Sequence, residues 1–377
     1  MHIKSNQQCE CECKPELDIV KPDKVEGPLT QDFQEWLSQH EYYEDLAGFG
    51  NLNSFGGRKY KNQPPCLLRN KLGFIFCLEL KQLGYSYFSP LASAKGYSAA
   101  GSEPASSVDQ TDINKRPVVF IHGNSDGALA GHGGDWNSGW SNSISYFMTH
   151  GGYTTAELYA ITYGIRDITK SIENKLTCGT ATRLRRFVDA VLAYTGAEEI
   201  DIIAHSMGVT YARIIIQGNM WILHRCQLGD PLKSKINKFI AIAGANYGLC
   251  ICADSEGETT NDTKRVPACS KEFGFWTGPS CPEHTDVKQC NSEDLISCSD
   301  NYGDILRKLN HSNDDGKYIA SFWSTNDTII GPTNKAYGWK TSIVVGTKKE
   351  MEYDGLTHYT LKTDTVSDQL KILQLEL

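Results

Sequence analysis

Ser206 sits where a hydroxyl could act as a nucleophile. Residues 200–214 read Ile-Asp-Ile-Ile-Ala-His-Ser-Met-Gly-Val-Thr-Tyr-Ala-Arg-Ile. An apolar run, Ile200–Ala204, ends at His205-Ser206-Met207-Gly208, and a helical pattern follows with Val209, Tyr211, Ile214 and Ile215 as its apolar members. Strand, sharp turn and helix in that order make a nucleophile elbow. So tight a turn needs small residues two before and two after the serine. Ala204 and Gly208 meet that demand, with Ala204 in place of the usual first glycine. The helix starting at Met207 points its positive end at the hydroxyl. The structural alternative is a Ser-Gly turn in an ordinary βα loop.

A serine hydroxyl is a weak nucleophile at neutral pH, so it needs a base, and the base needs an orienting carboxylate. Behind an elbow of this kind the chain order is serine, acid, histidine. Of the histidines after Ser206, His224 precedes the strand expected to carry the acid, and His284 and His311 lie in or beside a cysteine-rich stretch. His358 follows the last strand-like run and the turn Asp354-Gly355, just before the final helical pattern, which is the base's place. Asp327, in Ser-Thr-Asn-Asp-Thr-Ile-Ile-Gly after an apolar run, suits the acid. Asp354 competes but stands only four residues from His358, and Asp300 and Asp304 fall before the strand.

Negative charge developing on an attacked carbonyl oxygen calls for backbone N–H donors. One is Met207, the residue after the nucleophile. The other comes from the loop after the first core strand, Ile121-His-Gly-Asn-Ser-Asp-Gly127, where Asn124 holds the donor position and its side-chain amide is a further donor candidate. His122 reads as structural. Two separated ligands in Gly131-His132-Gly133-Gly134-Asp135 do not make a metal site, and the chemistry calls for neither a metal nor a cofactor.

The elements that must position these groups follow a clear rhythm from residue 117. Strands are expected at Pro117–Ile121, Leu158–Thr162, Ile200–Ala204, Ile236–Ala243, Tyr318–Trp323 and Ser342–Gly346. Helices are expected at Trp140–His150, Ala181–Tyr194, after the elbow, and at Val366–Leu375. That alternation predicts an α/β fold: a mostly parallel sheet with helices on both faces. Residues 246–316 break the rhythm with six cysteines, many Gly, Ser, Thr and Asp, and the aromatics Phe273, Phe275 and Trp276. Insertions after strand C-termini sit over the site in such sheets, so this one reads as a cap, with a surface excursion as the alternative. Upstream, residues 1–28 read as a mobile tail. Residues 29–115 read as an N-terminal extension with a short amphipathic helix around Phe33, Trp36 and Leu37, then an irregular insertion over 58–115. Residues 116–377 form the main domain.

The chain has 377 residues, a hydrophobic content of 40% and a charged content of 22%, ordinary for a globular protein. A formal net charge of −8 argues against nucleic acid as a partner but leaves an apolar lipid surface open. Thirteen cysteines exceed what a cytosolic enzyme usually carries; most read as disulfides, which implies secretion or a similar lumen. No cysteine pairs fall at zinc-ribbon spacing, and Cys9, Cys11 and Cys13 alternate with glutamates in the polar tail. Met1–Ile19 does not read as a signal peptide, and the apolar run Leu72–Leu80 is too short to span a bilayer. Asn261, Asn310 and Asn326 stand in glycosylation sequons; the first two sit in loop-like polar segments, and the third falls inside the turn expected to carry Asp327.

Taken with Val118-Val-Phe-Ile-His-Gly123, Leu158–Thr162, Ala193-Tyr-Thr-Gly-Ala197, Asp201–Gly208 and Gly244-Ala-Asn246, the chain resembles the class 2 lipase family of α/β-hydrolases. It looks most like the secreted nematode lipase-related branch, on an N-terminal Phe-x-x-Trp-Leu…Ser-Phe-Gly-Gly segment, His-Gly-Asn-Ser-Asp and Gly-Ala-Asn-Tyr-Gly-Leu-Cys. The resemblance covers 29–57 and 116–377; residues 58–115 have no counterpart, and small bacterial members lack the cysteine-rich insertion. It implies Ser206 as nucleophile, Asp327 as acid, His358 as base, and Asn124 and Met207 as oxyanion donors. The expected activity is a secreted carboxylic ester hydrolase, triacylglycerol lipase-like, acting in lipid breakdown without a cofactor. Its expected partners are lipid or other esters and a transiently touched lipid interface. The alternatives are another α/β-hydrolase (a thioesterase, acyltransferase or short-chain esterase) and a catalytically silent binding protein.

Overall fold

A computed structural model describes residues 25–42, 53–57, 113–218, 226–253, 266–278, 281, 302–312 and 315–376. The tail up to residue 24, the stretch 58–112, the sequon at Asn261, and His224 and His284 lie outside the described residues. In chain order the elements are α1 (Gln31–Ser38), β1 (Val118–Ile121), α2 (Ser141–His150), β2 (Leu158–Ala160), α3 (Cys178–Thr195), β3 (Ile200–His205), α4 (Met207–Gln217), β4 (Ile236–Ile242), α5 (Asp304–Asn310), β5 (Tyr318–Ser324), the short strands β6 (Lys335–Ala336) and β7 (Trp339–Lys340), β8 (Lys349–Tyr353), α6 (Thr360–Asp364) and α7 (Val366–Leu373).

Six strands form one sheet in the order β2-β1-β3-β4-β5-β8, and every neighbouring pair is parallel. β1, β3 and β4 are buried at every residue, as strands must be when helices cover both faces. α3 and α4 pack together, with α4 against β1, β3 and β4; α2 pairs with α7, which also reaches β4. The strand order reverses between β1 and β3, so the crevice at their carboxyl ends is where an open α/β sheet places a ligand.

Local chemistry explains the helix limits. The Thr177 hydroxyl accepts from Thr180 N–H and starts α3 three residues before the apolar pattern does, and Gly196 stops it in the left-handed conformation (φ 63°). All eleven residues of α4 are buried. Among them Arg213 is fully enclosed and is neutralised by Asp315 at 2.9 Å, with further bonds to Asn246, Asn310 and the Leu309 carbonyl. Asn310 donates to the Asn246 carbonyl and the Tyr302 hydroxyl, so its sequon amide is taken up in a network that a glycan would displace.

The N-terminal helix belongs to the core. Phe33 is fully buried in contact with Tyr159, Phe187 and Tyr194. Phe55 exchanges two backbone hydrogen bonds with Ala160 and so covers the outer edge of β2.

One expected strand is misplaced. Ser342–Gly346 holds turns and irregular backbone, although Ser342 and Val344 are buried, and the sixth strand is Lys349–Tyr353. It is an edge strand, half exposed and charged, so it lacks the apolar run that marks a buried one. All six cysteines among the described residues are paired: Cys178–Cys226, Cys250–Cys281 and Cys252–Cys269.

Candidate active site

β3 ends at His205, and the chain turns at Ser206 with φ 54° and ψ −127°, a conformation non-glycine residues avoid. Two hydrogen bonds hold the turn: Ser206 N–H to the Ile242 carbonyl at 2.8 Å, and Val209 N–H to the Ser206 carbonyl at 2.9 Å. Gly208 is obligatory, because a Cβ there would lie 2.3 Å from the His122 carbonyl oxygen and 2.5 Å from that of Ile121. Gly123 plays the matching role from the β1 side: a Cβ would stand 3.0 Å from Ser206 Cβ and 2.9 Å from His205 Nδ1. The two loops therefore meet backbone to backbone around the serine.

Asp327 lies in the turn after β5 and is 1% exposed. One carboxylate oxygen accepts from the backbone N–H groups of Ile329 and Ile330, both at 2.9 Å; the other faces His358 Nδ1 at 2.7 Å. That contact makes Nδ1 the protonated nitrogen and leaves Nε2 as the lone-pair nitrogen. His358 is 3% exposed and lines the same cavity as Ser206. No hydrogen bond joins Ser206 Oγ to His358 among the described residues; where such a pair is catalytic, the bond commonly tightens when substrate binds. Asp354 instead accepts from the Thr325 hydroxyl at 2.7 Å, which fixes the turn after β8.

The backbone N–H groups of Asn124 and Met207 have no protein acceptor among the described residues, and both residues line the cavity. The Asn124 side chain is a different matter. Its amide nitrogen donates to the Ser171 carbonyl at 2.9 Å and its oxygen accepts from Asn174 at 2.6 Å. It braces the loop and is not available as an extra donor to an oxyanion, which corrects that expectation. His122 is fully buried, with Nδ1 2.7 Å from the Gly123 carbonyl and Nε2 accepting from Tyr163 N–H at 3.0 Å; burial pushes its pKa down to about 4. It is structural, as its sequence context suggested.

Two supports were not read from the sequence. His205 Nε2 is 2.9 Å from the His358 carbonyl, so the residue before Ser206 holds the backbone of His358; burial drives the His205 pKa far down and keeps the ring neutral. Asp126 and Lys362 form a buried ion pair that ties the β1 loop to α6, just beyond His358, and Asp126 also accepts from Gly139 N–H at 3.0 Å. The adjacency of His205 to Ser206 was a usable signal; the Asp126–Lys362 pairing, between residues far apart in the chain, was not.

The cavity over these groups holds about 330 Å³, within the usual range for small-ligand sites. Apart from the reactive groups its lining is mainly apolar, including Trp136, Ile168, Leu249, Val266, Phe275 and Ile330. The insertion supplies one wall, through Leu249–Cys252, Val266–Cys269 and Phe275. Among the described residues no group of His, Cys, Asp and Glu is arranged to hold a metal.

A parallel sheet of this order, with a serine on a strained turn between β3 and α4, defines an α/β-hydrolase. A family model described as Lipase (class 2) matches residues 115–371, and the chain belongs to the class 2 lipase family. Among solved structures it is similar to lipase B of Aspergillus fumigatus (12% identity, TM-score 0.38, 71% of this chain and 55% of that one). It is also similar to Bacillus licheniformis lipase BlEst2 in mature form (11% identity, TM-score 0.41, 74% and 97%). A third similar structure is an extracellular α/β-hydrolase from a Paenibacillus species (12% identity, TM-score 0.36, 68% and 98%). The chain thus spans 55% of the length of the Aspergillus lipase. No curated protein matches it.

Proposed function

We propose that the chain is a secreted serine ester hydrolase that cleaves lipid carboxylic esters, triacylglycerols included, through an acyl-enzyme. In this reading Ser206 is the nucleophile, His358 the general base and acid, Asp327 its orienting carboxylate, and the N–H groups of Asn124 and Met207 the oxyanion donors. The observation that carries it is the 2.7 Å contact of Asp327 with His358 Nδ1, where His358 lines the same mostly apolar cavity as Ser206. Residues 116–377 then form the hydrolase domain, with 246–316 as its insertion.

Ser206 Oγ attacks the ester carbonyl as its proton passes to His358 Nε2. Asp327 stabilises the imidazolium, and the two N–H groups take the oxyanion. The carbon–oxygen bond to the alcohol breaks, and His358 gives its proton to the departing alkoxide. A water deprotonated by His358 then attacks the acyl-serine; the bond to Ser206 Oγ breaks, His358 returns the proton to Oγ, and the carboxylic acid leaves. Three disulfides favour an oxidising compartment, and the similarity of the N-terminal and His-Gly-Asn-Ser-Asp motifs favours the nematode lipase-related branch.

Hydrolysis of nitrophenyl esters from acetate to long-chain acids, by the wild type and by Ser206→Ala, tests the reading. Activity that vanishes in the variant and extends to long chains is the expected result. Activity that survives the substitution removes Ser206 from the mechanism, and activity confined to acetate removes lipids from the substrate class.

A further inference from the structure

Two isoleucines at the serine cavity are oddly placed. Ile251 is 71% exposed and Ile172 57%, yet both line the cavity, and every other apolar residue lining it is buried or half-buried. They mark its rim. Ile251 is also covalently fixed on both sides: Cys250 is bonded to Cys281 and Cys252 to Cys269. Cys252 and Cys269 are themselves buried and form part of the cavity wall. Leu249 N–H donates to the Phe275 carbonyl at 2.9 Å, and Cys252 N–H to the Leu249 carbonyl at 2.9 Å, so the segment is anchored at its base as well.

A large apolar side chain held rigidly in solvent contributes little to folding, because its area stays wet. It gains when another apolar group covers it. The adjacent source of such a group is the acyl chain whose carbonyl lies at Ser206. Only a chain long enough to reach the rim can cover Ile251.

We propose that Ile251, clamped between two disulfides, is the residue through which this protein discriminates acyl chain length. The inference rests on the ester-hydrolase reading for its substrate. The insertion supplies selectivity, and β3, β5 and the turn after β8 supply the chemistry. Contact with the rim favours long acyl groups in proportion to the area they cover, and acetate gains nothing from it.

The test is kcat/KM for a series of nitrophenyl esters with wild type, Ile251→Ala and Ile251→Asp, together with calorimetric binding of decanoate to Ser206→Ala and to Ser206→Ala/Ile251→Asp. The ratio of the decanoate ester to the acetate ester should fall about threefold with alanine, which removes contact area, and about tenfold or more with aspartate, which sets a charge against the alkyl chain. Decanoate binding should weaken in parallel. An unchanged ratio overturns the proposal while leaving the ester-hydrolase reading intact. No hydrolysis of any ester, with decanoate binding still dependent on Ile251, keeps the rim and removes the hydrolase reading. Binding indifferent to Ile251 overturns the rim by itself. Because Ile251 is exposed, its variants should fold.

Discussion

The floor and the wall of the serine cavity are built by different means. On the floor, Ser206, Asp327 and His358 sit in turns at the carboxyl ends of β3, β5 and β8, and the last two are almost fully buried. Backbone hydrogen bonds of the sheet and its turns hold them. On the wall, Leu249–Cys252 and Val266–Cys269 contain no strand; 3-10 turns and two disulfides hold them, with an isoleucine left in solvent. Reacting groups, the part proposed for these three, tolerate little displacement, which suits side chains hung from the hydrogen-bonded ends of a sheet. The selecting role proposed for the wall needs it only to stay in place, and a covalent staple is sufficient for that.

The sharpest way to break this contrast is at the floor. Ser206→Ala should lower kcat by about 10⁴-fold or more. Asp327→Asn should cost a similar factor of about 10⁴ in kcat, with KM little changed, because asparagine can still accept from Ile329 and Ile330 but cannot stabilise the imidazolium. Steady-state kinetics on one ester would check both, and a loss confined to KM would contradict the assigned roles. Gly208→Ala should abolish activity through the fold itself, since the added methyl meets two carbonyl oxygens; a melting temperature lower by several degrees would accompany the loss.

Breaking the wall should look different. Replacing Cys252 and Cys269 by serine removes a bridge of sequence separation 17 and should destabilise the protein by about 2–3 kcal/mol. It should also lower the preference for long over short esters by more than it lowers acetate turnover. A uniform fall across chain lengths would merge wall and floor into one structural unit.

The smallest expected effect on activity lies at the opposite end of β3. Burial raises the pKa of Asp201 to about 6, and its Oδ1 accepts from Asn237 and from Lys238 N–H. Because the folded-state pKa lies above the unfolded value, the favourable contribution is complete below about pH 4 and is lost as pH rises through about 6. Asp201→Asn keeps Oδ1 and never bears the charge. It should be more stable than wild type at pH 8 by about 3 kcal/mol at most and should show no such decline between pH 4 and 6. Denaturant titrations at the three pH values measure it, and chain-length preference should not change.

The same contrast decides what could be read from the sequence. β1, β3, β4 and β5 are buried on both faces, so they print apolar runs, and the motifs at their ends give the positions of Ser206, Asn124 and Asp327. His358 followed from chain order. The last strand escapes because an edge strand such as Lys-Glu-Met-Glu-Tyr carries charge where a central one carries apolar residues, while the apolar Ser342–Gly346 is irregular backbone that buries Ser342 and Val344. The insertion is visible as cysteine-rich, but its bridges, 31 and 17 residues long, are two among many pairings its cysteines allow, and spacing does not choose between them. The Asn124 side chain was misread for a related reason: its partners, Ser171 and Asn174, come from a separate loop.

The central claim is that the elbow, the base and the two donors act as one unit on Ser206. A fluorophosphonate probe tests it directly, because it phosphonylates an activated serine facing an oxyanion site far faster than an ordinary hydroxyl. Mass spectrometry of the folded, oxidised protein should find one adduct, on Ser206, formed rapidly in wild type and slowed by orders of magnitude in Asp327→Asn. No adduct, or an adduct on another serine, would contradict the account.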